Sequence, residues 1–317
     1  MRWAAVILAA GKGTRLRSSR PKVLHELAGR PLLDHVLATA AALVPEERIV
    51  VVLGYGREAV GRWLAGRSVT TTVQEPQLGT GDALRVGLGA LPGPADGVLV
   101  LSGDVPLLRP STVRRLAEAV EDGAAAAVLT AVLEEPASYG RVLRGPDGTI
   151  ERIVEARDAS SAELAVREVN AGVYAFRLEG LAGRIAALTA DNAQGEFYLT
   201  DVAAGLTGNG ERVVAVTLDD PEEMLGVNDR ADLARVAAAL NRRIVGSLMA
   251  NGVTVIDPAT TWVEPGCAVG PDTVLEPGVV LRRGARIGRG ARIGAHSVID
   301  GASVPDGAAI PPLSRLG

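Results

Sequence analysis

A glycine-rich loop with clustered cations lies close to the start of the chain. Gly11 and Gly13 follow an apolar run, and Lys12, Arg15 and Lys22 lie within or just behind the two glycines. Glycines let the backbone approach a ligand and present N–H donors to phosphate oxygens. The cations supply positive charge at the same place. The pattern predicts a phosphate-binding loop, with an ordinary turn carrying solvated charges as the alternative.

The spacing of this loop differs from the two commonest phosphate motifs. GxxxxGK[ST] is absent, and Leu16 stands where the third glycine of GxGxxG would be. Of the 33 Lys and Arg residues in the chain, only Lys12 and Lys22 are lysines. Because an ammonium is a compact point charge and a guanidinium is a planar fork, we interpret both positions as requiring an ammonium. Chance clustering of two residues is the alternative interpretation.

A second candidate for chemistry is Asp104, which follows Gly103 at the end of another apolar run. Apolar strands alternating with helices predict a mostly parallel sheet covered on both faces. Ligands of such sheets bind beyond the carboxyl ends of the strands, where both the loop and Asp104 would lie. We predict strands at 4–8, 49–53 and 98–101, and helices at 32–43, within 78–88, and at 111–120 with Ser111 as N-cap.

The middle of the chain is less regular and ends in a helical pattern. The segments 141–144 and 150–154 flank the turn sequence at 145–148, which predicts a β-hairpin. Residues 229–248 are rich in Ala, Leu and Arg at helical spacing and predict a connecting helix.

The last part of the chain repeats every six residues. A small or compact residue precedes each apolar one by two positions, which is the hexapeptide pattern of a parallel β-helix of little more than three coils, with a register slip near Pro305. The apolar column is Val263, Val269, Leu275, Leu281, Ile287, Ile293 and Ile299, and the small column is Thr261, Cys267, Thr273, Val279, Ala285, Ala291 and Ser297.

Composition excludes several classes of protein. Hydrophobic residues make up 47% of the 317 residues and charged residues 22%, a balance that supports a sizeable core. The net charge of −4 gives no indication of a nucleic-acid or membrane partner, and one cysteine excludes an intrachain disulfide framework. We find no signal-peptide pattern and no apolar span, and we expect a cytoplasmic protein.

The motifs together resemble a known family. Residues 8–16 with Pro21 and Lys22 are similar to the signature of sugar-1-phosphate nucleotidylyltransferases, and 23–29 narrow the resemblance to the bacterial bifunctional N-acetylglucosamine-1-phosphate uridyltransferase/glucosamine-1-phosphate acetyltransferase family. The match continues in order through 74–81, 103–104, 139–141, Glu155, Asn170, 194–201 and 226–228.

The resemblance implies a role for each matched position. Arg15 and Lys22 would bind the UTP phosphates as catalytic residues, and Asp104 and Asn228 would bind Mg²⁺. The nucleotide would contact Leu8, Ala9, Ala10, Gly11, Gln74, Gly79 and Thr80, and the sugar phosphate would contact Gly140, Glu155, Asn170 and Thr200.

The resemblance also implies a fold and a reaction. We expect a Rossmann-like, mostly parallel nucleotidyltransferase domain at 1–229, a linker helix at 230–250 and a short left-handed parallel β-helix at 251–317. The expected reaction joins UTP to N-acetylglucosamine 1-phosphate and releases pyrophosphate, with the chain associating as a homotrimer. The sugar phosphate is already a nucleophile, so catalysis requires alignment and charge neutralisation rather than a general base.

Some features depart from the family pattern. The acetyltransferase of the family lies in later coils, and the 251–317 segment has one His and no Lys, so we predict no acetyltransferase activity. Ser102 stands where some relatives carry an aromatic residue. The first alternative function is therefore the transfer of a uridylyl or thymidylyl group to another hexose 1-phosphate. A non-catalytic nucleotide-sugar regulatory subunit is the second alternative.

Overall fold

The computed structural model describes all 317 residues, which divide into two compact units. The first comprises residues 1–25 and 31–229, and the second comprises 26–30 and 230–317. None of the helices combines the length and the hydropathy that a membrane span needs.

The elements of the first part of the chain alternate between strand and helix over residues 32–132, as the sequence predicts. In chain order they are β1 Trp3–Ala9, β2 Glu26–Leu27, β3 Arg30–Pro31, α1 Leu32–Ala41, β4 Ile49–Leu53, α2 Arg57–Leu64, β5 Thr70–Val73, α3 Thr80–Gly89, β6 Gly97–Ser102, α4 Pro110–Glu121, β7 Ala126–Val132, β8 Arg141–Arg144, β9 Ile150–Val154, α5 Ser161–Leu164, β10 Glu168–Arg177, α6 Leu181–Ala186, α7 Asp201–Thr207 and β11 Val213–Thr217.

The main sheet of the first unit has the order β11-β7-β10-β6-β1-β4-β5. The pairs β1–β4, β1–β6, β4–β5 and β7–β11 are parallel, whereas β10 runs antiparallel to both of its neighbours. The prediction of a mostly parallel sheet is therefore confirmed, and so is the hairpin, since β8 and β9 pair antiparallel. The sequence did not predict β5, β7, β10 or β11.

Alternation along the central strand builds a core on each face of this sheet. Ile7 joins one buried cluster with α1, α2 and α4, whereas its neighbour Val6 joins another with α3, α6 and α7. Successive side chains of a strand point to opposite faces, so a strand of continuous apolar residues requires helices on both sides.

One predicted helix start is wrong. Helix α4 begins at Pro110 with Arg109 as its N-cap, so Ser111 is the second helical residue and does not cap. Proline suits the first turn because it has no N–H to leave unsatisfied and its φ is already helical. The preference for proline at this position outweighs the capping preference of the serine next to it.

The second unit contains α8 Arg230–Ala250 and eleven short parallel strands. They are β12 Thr254–Val255, β13 Trp262–Val263, β14 Ala268–Val269, β15 Val274–Leu275, β16 Val280–Arg282, β17 Arg286–Ile287, β18 Arg292–Ile293, β19 Val298–Asp300, β20 Ser303–Val304, β21 Ala309–Ile310 and β22 Arg315–Leu316. They form three sheets of four, four and three strands, each strand pairing with the strand three positions later. This arrangement confirms the parallel β-helix.

Register within the β-helix follows the six-residue repeat until one deletion. Val280 pairs with Val298, eighteen positions away, whereas Arg286 pairs with Ser303, seventeen positions away. The slip therefore lies between Asp300 and Ser303, a few residues before the predicted position at Pro305.

The first coil of this unit is tied to its helix by one buried amide. Asn241 of α8 donates from Nδ2 to the Thr261 carbonyl at 2.8 Å and accepts from the Val263 N–H at 2.9 Å. Val245 of the same helix joins the apolar core of the coils. The helix therefore satisfies backbone groups at the start of the β-helix that no preceding coil could satisfy.

Candidate functional site

Several of the predicted residues lie close to Asp104. The Lys22 ammonium forms an ion pair with the Asp104 carboxylate and donates to the Asn228 Oδ1 at 2.9 Å. The Val227 N–H donates to the Asp104 carbonyl at 3.0 Å, which fixes the neighbouring Asn228 against Asp104. Residues 206 positions apart in the chain thus form one polar cluster.

The oxygens of this cluster fit a hard divalent cation. Carboxylate and amide oxygens are ligands that Mg²⁺ accepts, and Mg²⁺ commonly takes only one or two protein ligands beside water and phosphate oxygens. Both the Asp104 and the Asn228 oxygens reach a single nitrogen, so both are within reach of a single ion. No group of three or more His, Cys, Asp or Glu residues is arranged to enclose a metal. The donor set therefore suits an ion shared with a substrate.

A cavity of about 460 Å³ opens beside Asp104 at the carboxyl ends of β1 and β6. The backbone that forms it is fixed by strand-end hydrogen bonds, because the Gly103 N–H donates to the Leu8 carbonyl at 2.9 Å. Seven of the predicted residues line it, namely Leu8, Ala10, Gly11, Gln74, Gly79, Thr80 and Asp104. The remaining lining residues are Lys12, Gln77, Ala83, Ser102 and Glu196.

Gln74 is buried in the wall of this cavity and its amide is held in one orientation. Its Nε2 donates to the Gly79 carbonyl and to the Asp82 Oδ2, both at 2.9 Å. Asp82 is in turn fixed by Arg85, which approaches its Oδ1 at 2.6 Å. Because both amide hydrogens are committed, the Gln74 Oε1 is left as an acceptor for a ligand.

A separate group gathers the residues predicted to hold the sugar. The Thr200 hydroxyl donates to the Glu155 Oε1 at 3.2 Å, and the Asn170 N–H donates to the Gly140 carbonyl at 2.9 Å. A Cβ built on Gly140 would lie 3.4 Å from the Glu155 Oε2, so the glycine and the carboxylate are neighbours. The structure thus brings all four predicted residues into one contiguous group.

Asn170 is further fixed by an irregular turn within β10. Its Nδ2 donates to the Tyr174 hydroxyl at 2.6 Å, and its Oδ1 accepts from the Gly172 N–H at 3.0 Å. The pairing of β10 with β7 is interrupted between Asn170 and Tyr174, and Gly172 has a φ of 72° there. The bulge re-aims the strand so that the Gly172 carbonyl accepts from the Ser102 hydroxyl at 3.2 Å.

Burial governs the acidity of the groups near Glu155. Burial raises the pKa of the Glu155 carboxyl, while the Thr200 hydroxyl opposes the rise and the charges of Asp201 and Asp158 add to it. Burial also raises the pKa of Asp201, with a further contribution from Asp158. A carboxyl with a raised pKa is a weaker acid, so it keeps its proton to a higher pH than an exposed carboxyl does.

The remaining predicted residues lie beside the cavity and do not line it. Arg15 is exposed in the short helical turn Thr14–Leu16, directly after the glycine-rich loop. Ala9 is buried at the end of β1 with its neighbour Ala10. The Lys22 side chain passes over this loop, since a Cβ built on Gly13 would lie 2.7 Å from the Lys22 Cβ.

A larger cavity, of about 680 Å³, lies on the other side of the 74–77 segment and shares only Gln74 and Gln77 with the first. Its walls include the turn Gly54, Tyr55 and Gly56 and the ion-paired Arg57 and Glu75. It contains neither Asp104 nor the glycine-rich loop. We therefore assign the smaller cavity as the candidate site.

Sequence reasoning missed the residues that support the site. Asp82 orients Gln74, and Gly172 turns β10 at Asn170, yet neither stands in a motif. Tyr198 is buried, and its hydroxyl donates to the Asp158 Oδ2 at 3.3 Å and accepts from the Gln194 Nε2 at 2.9 Å. The sequence shows only an acidic residue eight positions after Gln74, and its burial against the Gln74 amide is visible only in the structure.

Comparison with known proteins identifies relatives for both units. The MobA-like NTP transferase domain matches residues 5–251, and six repeats of the bacterial transferase hexapeptide match residues 261–301. The chain is 48% identical over 280 residues to the bifunctional protein GlmU of Mycobacterium ulcerans, and equally so to that of Mycobacterium marinum. A third relative, the bifunctional protein GlmU of Corynebacterium aurimucosum, is 48% identical over 279 residues.

These alignments cover 86% of the chain and 57% of each of these three relatives. The chain therefore spans little more than half the length of the curated proteins that it matches.

Proposed function

The chain belongs to the MobA-like NTP transferase family, and from that premise we propose that it joins UTP to N-acetylglucosamine 1-phosphate, forming UDP-N-acetylglucosamine and pyrophosphate. Its similarity to bifunctional GlmU proteins supports a sugar 1-phosphate as the acceptor. The observation that carries the proposal is the cluster of Lys22, Asp104 and Asn228 at the edge of a cavity walled by a glycine-rich loop and Gln74.

The proposed base selectivity rests on Gln74. With its Nε2 committed to Gly79 and Asp82, its Oε1 can accept a hydrogen bond but the amide cannot donate another. Uracil carries an N–H at ring position 3, whereas cytosine has an unprotonated acceptor there. The fixed amide therefore favours UTP over CTP, because two acceptors would otherwise face each other.

The proposed sugar site uses the group around Glu155. A carboxylate accepts hydrogen bonds from sugar hydroxyls, and Asn170 and the Gly140 backbone supply further polar atoms beside it. Thr200 lies against Glu155 and would approach the phosphate side of the sugar. Ser102 lines the cavity beside Asp104, so a larger side chain at this position would take up part of its volume.

In the proposed reaction an oxygen of the sugar phosphate attacks the α-phosphorus of UTP. Its bond to that phosphorus forms as the bond to the bridging oxygen breaks, and the electron pair leaves with pyrophosphate. The backbone amides at Gly11 and the cations Arg15 and Lys22 neutralise charge on the phosphates and the leaving group. Mg²⁺ held by Asp104 and Asn228 would supply further charge stabilisation.

Pyrophosphate release with UTP, Mg²⁺ and a panel of sugar 1-phosphates tests the proposal. We expect release with N-acetylglucosamine 1-phosphate and its loss in Asp104→Ala. Release with only another hexose 1-phosphate, or only with dTTP, would move the substrate assignment to the alternative transferase. Binding of UTP without release for any sugar would contradict the enzyme and favour a regulatory subunit.

Two further expectations belong to this proposal. The absence of acetyltransferase activity stays a prediction for the 317-residue chain, tested by acetyl-CoA consumption with glucosamine 1-phosphate. We also propose that the β-helix unit associates as a homotrimer, a proposal that its six hexapeptide repeats support. Light scattering at micromolar concentration tests this, and a monomer mass would contradict it.

A further inference from the structure

We propose that Lys22 acts as a resident cation of the metal site and must be displaced before a divalent ion can bind. The inference rests on the proposed metal ligands and concerns how they are controlled. It makes metal binding and nucleotide binding depend on one another through a single side chain.

The contacts of the ammonium carry the inference. The Lys22 Nζ contacts the Asp104 carboxylate and the Asn228 Oδ1, the two oxygens to which the metal is assigned. The lysine side chain is 12% exposed and the aspartate side chain 24% exposed, so water screens this ion pair only partly. An ammonium and a divalent ion cannot share the same two oxygens, because their charges repel and their positions overlap.

The stem of Lys22 determines where the ammonium can go. A Cβ built on Gly13 would lie 2.7 Å from the Lys22 Cβ and 3.2 Å from its Cδ, so the stem lies against the glycine-rich loop. Gly13 has a φ of 59°, a conformation that glycine adopts at no steric cost. Rotation about the terminal bonds of the lysine therefore carries the ammonium from Asp104 toward the loop that is assigned to the phosphates.

The consequence is an exchange of partners. Without nucleotide, the lysine neutralises Asp104 and a free divalent ion meets a site that is already occupied. When phosphates enter the loop, they offer the ammonium a new anionic partner and draw it away from the oxygens of Asp104 and Asn228. We therefore expect weak binding of metal alone and mutual strengthening of metal and nucleotide binding.

The second lysine of the chain provides a matched control. Lys12 lies in the same loop and lines the same cavity, but it is exposed and contacts neither Asp104 nor Asn228. Removing either lysine subtracts one positive charge from the region. Only Lys22→Met removes the competing contact.

The first test measures Mn²⁺ binding in the absence of nucleotide by electron paramagnetic resonance. Because the substitution removes a charged competitor from the metal ligands, we expect Lys22→Met to bind Mn²⁺ roughly tenfold more tightly than wild type. Lys12→Met should change the affinity much less. Equal gains in both variants would show a general field effect and overturn the proposal, as would an unchanged affinity in Lys22→Met.

A second test needs no substitution. Acylation of amines followed by peptide mass spectrometry reports separately on Lys12, Lys22 and the N-terminus. Mg²⁺ should increase labelling of Lys22 relative to Lys12 when compared with sodium at equal ionic strength. Unchanged labelling of Lys22, at a Mg²⁺ concentration where the metal site is filled, would also overturn the proposal.

These readouts separate the inference from the proposed function. Sugar-dependent pyrophosphate release with no lysine effect would leave the function standing and remove only the exchange. Tighter Mn²⁺ binding in Lys22→Met without turnover by wild type would support the exchange and contradict the enzyme.

Discussion

The two units of the chain achieve specificity in opposite ways. In the β-helix unit each residue repeats the environment of the residue one coil earlier, so Leu281 pairs with Ile299 eighteen positions away. In the nucleotidyltransferase unit the functional residues come from unrelated segments, as Lys22 and Asn228 do across 206 positions. The β-helix can therefore be predicted from the period of its sequence. The candidate site cannot, because its residues become neighbours only when the chain folds.

The apolar residues of the two units also differ in the neighbouring elements that they need for burial. Side chains of the β-helix core point inward at every sixth residue and meet their equivalents in the coils above and below. The sheet of the other unit sends Val6 and Ile7 to different cores. The β-helix buries its apolar residues against further copies of the same repeat, whereas the sheet needs a separate set of helices on each face.

The largest expected effect is a loss of activity in the nucleotidyltransferase unit without a loss of stability. Asp104→Asn keeps the shape of the side chain but removes the charge that would hold the metal. Metal-based stabilisation of a transition state is worth several kcal/mol, so we expect kcat to fall by about 100-fold or more. Steady-state pyrophosphate release measures this.

The thermal unfolding midpoint of Asp104→Asn should move only slightly, since the site is partly exposed. Asp104→Asn with near wild-type kcat would show that the cluster is structural, and the contrast between the two units would fail.

The opposite result is expected in the β-helix unit. Ile293 is fully buried in the coil core, so Ile293→Ala should destabilise this unit by about 2–5 kcal/mol. Thermal and denaturant unfolding measure the change, and UTP affinity at low temperature should be unaffected. Loss of UTP binding by a folded Ile293→Ala protein would mean that the units do not divide structure and function in this way.

Two glycines of the second unit differ in the space around them, one in the β-helix coils and one in α8. A Cβ on Gly294 would lie 2.4 Å from the backbone nitrogen of Pro312, whereas nothing lies within 4 Å of a Cβ on Gly246 in α8. Gly294→Ala should therefore destabilise by about 1–3 kcal/mol through overpacking of adjacent coils. Gly246→Ala should stabilise by about 0.5–1 kcal/mol, because alanine loses less entropy in a helix.

The glycine pair is read from the midpoints of chemical denaturation of both variants. Similar shifts of the same sign would contradict the close approach of the coils at Gly294.

A smaller effect is expected on the selectivity between the nucleobases uracil and cytosine. Asp82→Asn replaces one carboxylate oxygen with an NH₂ donor while Arg85 holds the other oxygen, so the Gln74 amide can turn to accept from that NH₂ and donate to the base. We expect the ratio of kcat/KM for UTP over CTP to fall by roughly tenfold, the worth of about one hydrogen bond. Competition assays with both nucleotides measure the ratio, and an unchanged ratio would place the selectivity in the backbone.

The smallest effect is a pH dependence from Glu155. Burial raises the pKa of this carboxyl above the ordinary range of glutamate. As pH falls through that raised pKa, the carboxylate is protonated and loses its capacity to accept from sugar hydroxyls. Affinity for the sugar phosphate should therefore fall on the acid side at a higher pH than an exposed glutamate would give.

The same raised pKa has a consequence for stability, with a definite sign. The folded protein binds a proton at Glu155 more readily than the unfolded chain, so above the folded pKa the ionised group opposes folding. Glu155→Gln should flatten both the acid limb of sugar-phosphate binding, measured by calorimetry, and this part of the pH–stability profile. The titration of the sugar phosphate itself will remain in both proteins and serves as the internal control.

The sequence determined the β-helix almost completely. Six-residue periodicity predicts which residues are buried, and Val263, Leu275, Leu281, Ile287, Ile293 and Ile299 are all buried as expected. Val269 and Cys267 are only half buried, which the period alone did not indicate. The register slip predicted near Pro305 lies between Asp300 and Ser303, where the spacing of paired residues shortens from eighteen to seventeen positions.

The sequence also determined the parallel strands β1, β4 and β6, since runs of apolar residues ending in Gly or Gly-Asp mark the carboxyl ends of β1 and β6. It did not determine β10, whose bulge at Gly172 depends on pairing with two antiparallel neighbours.

Only the tertiary structure decided how the candidate site is assembled. That Lys22 meets both Asp104 and Asn228, and that Asp82 fixes Gln74, follows from which strand ends and loops become neighbours. Residue type and spacing specify local conformation, because backbone preferences and periodic burial act over a few residues. Contacts between distant segments depend on the packing of the whole sheet, and for that reason the chemistry was visible in the sequence while its geometry was not.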